Sequence, residues 1–251
     1  TFADPQPAIS YYAASTGSDT TGDGTLANPY ATLNKAYAGA AVNTETNIYI
    51  LDDITVSSTI AFNGNKTINL LSANADGTAA DTGTESHKII DATAGGATLL
   101  ALTAGTLNTS YIVFDGNKGN GQQYNGGNGA LGIIGINGEG AVYNANQGTV
   151  IQNFYNISSF TGGVVLIRNG YANFNGALLQ DNITQINDTS GQTNAGVYYV
   201  GSADGGTFTN TVFKNLTSYQ GGAAIRTNIS LPITIDGCQF INNDGMTISG
   251  G

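Results

Sequence analysis

The chain has 251 residues, with 36 Gly, 4 Pro, 1 Cys, no Trp and a formal charge of −10. Charged residues are only 10% of it and hydrophobic residues 40%, against about 25% charged in ordinary soluble domains. That leaves enough apolar material for a core and excludes charge-driven disorder. The seven basic residues, Lys35, Lys66, Lys88, Lys118, Arg168, Lys214 and Arg226, are too few and too scattered to track phosphates, so nucleic acid is not an expected partner.

Polarity comes instead from uncharged side chains, 29 Asn and 31 Thr among them. The single Cys238 cannot close an internal disulfide and reads as a small buried hydrophobe. No apolar run approaches the ~18 residues of a membrane helix, so direct membrane insertion by this segment is not expected. A composition poor in Lys, Glu and Cys and rich in Gly, Asn and Thr suits an extracellular or cell-surface location.

In chain order, residues 1–45 read as an N-terminal cap. It contains a turn, Asp19-Thr-Thr-Gly-Asp23-Gly-Thr25, followed by a helix over Tyr30–Ala41 with Leu33, Ala36, Tyr37 and Ala40 at helical spacing. The turn brings two carboxylates and several carbonyls together in a Gly-rich segment. Asp19 and Asp23 are therefore candidate Ca²⁺ ligands, with a side-chain-capped turn as the alternative. No other cofactor is expected. Residues 46–251 read as β coils, opening with the short strands Ile48–Leu51, Ile54–Val56, Thr59–Phe62, Thr67–Leu71 and Lys88–Asp91.

From Gly95 onward the chain repeats. A glycine-led apolar strand recurs at Gly95–Leu100, Gly127–Gly132, Gly162–Ile167, Ala195–Val200, Gly221–Ile225 and Gly245–Ile248. Each of the first five is followed by an apolar segment anchored on Phe114, Ile151, Leu179, Phe213 or Phe240. A repeat of this length, built from short strands without helical patterning between them, is the signature of a solenoid. It predicts a single-domain, all-β, right-handed parallel β-helix, with anchors stacked in a core column and glycines at corners. The polar residue two past the anchor, Asn153, Asp181, Asn215 and Asn242, should fall at one corner and form a structural ladder. The repeat is interrupted at Gly251, so the coils are expected to continue in a longer parent protein.

Two stretches carry a resemblance. Tyr11–Ala36, with its Gly-Ser-Asp turn, Asn-Pro-Tyr step and helix, resembles the opening of extracellular pectate-lyase-like β-helix proteins. Gly221-Gly-Ala-Ala-Ile225, Phe240-Ile-Asn-Asn243, Phe114-Asp-Gly-Asn117 and Phe62-Asn-Gly-Asn65 resemble the repeats of chlamydial-type polymorphic outer-membrane proteins and related bacterial adhesins. The resemblance implies an adhesin module that contacts glycans or proteins on a host or neighbouring microbe.

The same fold carries lyases and hydrolases, which need clustered carboxylates and a cationic base or paired Asp residues. The sole histidine, His87, has no carboxylate pair beside it in sequence, Asp52-Asp53 reads as a turn, and Arg168 and Arg226 have no acidic cluster nearby. An enzyme is therefore the alternative rather than the expectation, and a passive stalk is a second alternative. For binding, the sequence offers Tyr124 at the centre of the longest insertion, Asn117–Asn128, together with Arg168 and Tyr171 on an outward-facing patch.

Overall fold

The computed structural model describes residues 8–126, 132–158, 163–184, 196–219 and 222–246. Gly129, Gly162, Ala195 and Gly221, which sit in four of the repeat copies, lie outside the described residues, as do Asn128 and residues 247–251. Among the described residues the strands form three sheets of eleven, seven and four strands. In each sheet a strand pairs, in parallel, with its counterpart one coil away rather than with its neighbour in sequence. That strand order is a parallel β-helix.

Its register follows the repeat. In the first sheet the glycine-led strands align Leu100, Ile134, Val165, Val197 and Ile225 across five coils. In the second sheet Ile54, Ile89, Phe114, Ile151, Leu179, Phe213 and Phe240 form one column. Phe114, Ile151, Leu179 and Phe213 are fully buried, and Phe213 stacks on Phe240 at 5.0 Å with the rings 4° apart. A second aromatic run, Tyr143, Phe174 and Phe208, lies across the core from it. Phe240, on the last described coil, is half exposed.

The central coils differ from the expected short strands. Ile134–Ala145, Val165–Asn175 and Val197–Thr209 are 12, 11 and 13 residues long, because hydrogen bonding carries on through a bulged bend where the register slips. At that bend Gly170 has φ +95°, and an added Cβ would sit 2.4 Å from the carbonyl oxygen of Ala141. Only glycine fits so close an approach.

The outer face of the first sheet carries an amide ladder that the repeat does not announce. Asn47, Asn69, Asn108, Asn144 and Asn173 are in register. Each after Asn47 donates from Nδ2 to Oδ1 of the preceding asparagine at 2.8–2.9 Å. The last rung, Asn173, accepts from both the backbone N–H and the hydroxyl of Thr207 at 3.1 Å. A shorter ladder on the second sheet runs from Gln180 through Gln152 to Asp115.

The cap helix, α1, spans Leu33–Gly39 and is shorter than the pattern suggests. Thr32 ends it at the front by accepting from the Lys35 N–H, and Asp19 ties down the N–H groups of Ala31 and Thr32. Leu33, Ala36 and Tyr37 are buried. The Asn34 side chain donates to the Thr59 carbonyl and accepts from the Ala61 N–H, satisfying backbone groups at the edge of strand Ile60–Phe62, a free edge that would otherwise be open to pairing.

Two substitutions test this architecture by equilibrium denaturation. Phe213→Ala should cost about 3–5 kcal/mol, since it removes a fully buried ring from the middle of the column. Asn108→Ala should cost about 1–2 kcal/mol by stranding Oδ1 of Asn69 below and Nδ2 of Asn144 above.

Candidate functional site

The residues singled out from sequence fall in four different places. Asn153, Asp181, Asn215 and Asn242 sit at one corner, each just past the second-sheet strand of its coil. All four adopt the left-handed backbone conformation, with φ of 58°, 55°, 53° and 52°. Asn and Asp tolerate that conformation better than other non-glycine residues. The ladder among them is partial: Asn215 Nδ2 donates to Asp181 at 2.9 Å, whereas Asn153 donates to Asp115. Sequence reasoning missed the residue next door. Asn182 and Asn243 each accept a backbone N–H from the coil on one side and donate to a backbone carbonyl. The Asp-Asn and Asn-Asn doublets were the available signal.

Asp19 and Asp23 point to separate partners. Asp19 accepts from Ala31, Thr32 and the Thr32 hydroxyl, and Asp23 accepts from the backbone and hydroxyl of Thr25. Hydrogen bonds from Thr25 hold the exposed Asp23 carboxyl below its ordinary range. Among the described residues no three His, Cys, Asp or Glu side chains converge. His87 does have an acidic neighbour that the sequence hides: its Nδ1 is 4.0 Å from Asp53 Oδ1. Its Nε2 is hydrogen-bonded to the Ala73 carbonyl at 3.2 Å.

Tyr124 requires a correction. It is only 4% exposed and belongs to the core, because the insertion folds back as a wall of its own coil. Its backbone pairs with Tyr155 and Ile157, and its hydroxyl accepts from the Gly132 N–H. Burial raises the pKa of that phenol, while the charge of Arg168 acts in the opposite direction. Arg168 itself is half-buried, at the register shift between Ile167 and Asn169. It is not equivalent to Arg226, which is in register with Tyr198 and Leu166 and places its guanidinium 5.0 Å from the Tyr198 ring centre.

Tyr171 is the candidate that reaches solvent. It is 43% exposed and lines a groove of about 360 Å³ with Asn173, Asp204, Gly206, Thr207, Leu231, Pro232 and Thr234. The register explains the groove. Tyr171 pairs with Gly205, and Pro232 follows one coil further on, just before the Gly206–Ile233 pair. A bare glycine thus lies between a tyrosine and a Leu-Pro wall. The hydroxyl of Thr207 is tied to the ladder end. Asp204 forms no hydrogen bond through its carboxylate among the described residues.

A second depression, on the other side of the solenoid, is lined by Lys88, Ile90, Asp115, Asn117, Lys118, Gly119, Asn120 and Asn153. Two of its charged groups are already paired: Lys118 donates to the Asp181 carbonyl, and Asp115 accepts from Asn117, Gln152 and Asn153. Burial holds the Lys118 ammonium below its usual range, against the pull of Asp181 and Asp115. Asp91, buried nearby, accepts from the backbone and hydroxyl of Thr93, yet desolvation still raises its pKa.

No family model, curated protein or solved structure matches this chain. The chemistry must be argued from the side chains themselves.

Two outcomes test these assignments. At the corner, Asn242→Val should be about 1–2 kcal/mol less stable than Asn242→Gly in urea unfolding, since a β-branched residue resists positive φ. Asp91 makes stability depend on pH. Its carboxyl holds a proton more tightly folded than unfolded, so stability should fall as pH rises from the ordinary value of 3.8 through the raised folded value, and level off above it. A urea series spanning that window should show the decline in the parent chain and its loss in Asp91→Asn.

Proposed function

We propose that this chain is an attachment module: a secreted or surface-displayed β-helix, of the pectate-lyase-like adhesin kind, that presents the outer face of its first sheet to glycans or proteins on another cell. The observation that carries the reading is the solvent-facing Tyr171 groove at the end of an otherwise self-satisfied amide ladder. A binding surface needs a few groups left open on a rigid scaffold. Here the ladder makes the scaffold, and the groove supplies the open groups. The groove has no Lys or Arg in its lining and carries the Asp204 carboxylate, which supports contact with uncharged surfaces rather than with nucleic acid or anionic lipid.

The test is retention against turnover. Beads coated with the chain should adhere to cells or to an immobilised glycan array, and assays for new reducing or unsaturated ends on the retained polysaccharides should stay blank. Turnover would replace this reading with that of a lyase or hydrolase, and no retention at all would leave a passive stalk.

A further inference from the structure

We infer that the Tyr171 groove takes the ring of a neutral hexopyranose within a glycan chain; this rests on the attachment reading and names its ligand class. The walls come first. Tyr171 and Pro232 occupy the same register position two coils apart, which sets their backbones roughly 10 Å from one another. Between them Gly205 contributes no side chain. It cannot readily be replaced, since its φ is +109° and an added Cβ would lie 2.8 Å from the Pro232 carbonyl oxygen. The result is a slot, open to solvent, with the Tyr171 side chain on one side and the half-exposed Leu231 beside Pro232 on the other. A saturated six-membered ring offers two C–H faces to two such walls, and a tyrosine can stack on one of them without being buried itself.

The polar groups then choose among ring-shaped ligands. Asn173 accepts twice from Thr207 and donates to Asn144, so most of its capacity is spent. The open acceptor is Asp204, whose two carboxylate oxygens can receive two neighbouring hydroxyl donors. The Thr234 hydroxyl, exposed on the last described coil and in register with Thr207, can give or accept within the same groove. An apolar ligand would cover Asp204 without pairing it, which is costly. Uronates, sulfated sugars and phosphates would meet a carboxylate, no lining cation and a chain of charge −10. A neutral sugar satisfies walls and carboxylate together.

Titration calorimetry with soluble β-glucan, mannan and galactan oligosaccharides tests this, with polygalacturonate and chitosan as charged comparators. At least one neutral probe should bind, with an affinity insensitive to salt. Tyr171→Ala should weaken it about tenfold or more, Tyr171→Phe should retain it, and Asp204→Ala should weaken it while leaving the melting temperature unchanged. If neutral probes bind but Tyr171→Ala and Asp204→Ala bind as well as the parent, the site assignment is overturned while attachment stands. Salt-sensitive preference for chitosan would overturn the neutral-ligand assignment in favour of a cationic one. Cell retention without binding of any neutral probe would overturn it too, and absence of both would remove the attachment reading itself.

Discussion

Everything in this molecule depends on the parallel register between one coil and the next. Parallel strands cannot be joined by a tight hairpin, so each must wait a full turn of chain for its partner. The hydrogen bonds that hold Phe114 beside Ile151, or Asn108 beside Asn144, therefore link residues 37 and 36 positions apart. A side chain that suits one coil is also the neighbour of its counterparts above and below, which is why like residues stack. Rings stack inside, as Phe174 does on Phe208 and Phe213 on Phe240. Amides stack outside, each asparagine serving as donor to one coil and acceptor from another.

That constraint explains the composition. Each strand-interior asparagine in the long ladder meets its own kind, so polarity is satisfied without charge and without the repulsion that identical charges stacked ~4.8 Å apart would bring. The corners impose a different demand. There the backbone must turn with positive φ, and Asn153, Asp181, Asn215 and Asn242 meet it on one side of the solenoid while Gly170, Gly201 and Gly205 do so at the bend. The high counts of Asn and Gly thus answer two separate geometric needs.

The sequence made five members of the second-sheet column legible, from Phe114 to Phe240, because an apolar anchor, in four copies two residues before an Asn or Asp, recurs in a pattern that survives variable loop lengths; Ile54 and Ile89 lie upstream of that repeat and are not distinguished as anchors. It did not reveal the long ladder. Asn47, Asn69 and Asn108 belong to coils upstream of, or at the start of, the recognised repeat, and their spacing of 22 and then 39 residues follows loop length rather than any period. Tyr124 was misleading for a related reason. Its Gly- and Asn-rich surroundings have the composition of a free loop, yet register with Asn156 turns that segment into a wall. Asp53 beside His87 was invisible because the contact spans 34 positions between adjacent coils. Tyr171 needed only its own strand: one residue past the bend glycine, it continues the outward-facing side of a strand whose inward side is Ala172 and Phe174.

The groove is best understood as an interruption of the stacking rule. A face on which every amide has found its partner has little to offer a ligand, because binding there would first have to break ladder bonds. The ladder ends at Asn173, where Thr207 replaces the next asparagine and Gly205 replaces a neighbour for Tyr171. In this one stretch, stacking of like on like gives way to a ring, a gap, a carboxylate and an aliphatic wall. Coils on both sides hold that stretch in place, since Val165–Asn175, which carries Tyr171, and Val197–Thr209, which carries Asp204 and Gly205, are each paired on both edges. The proposed recognition therefore falls where regularity stops, on strands that regularity has already fixed in place.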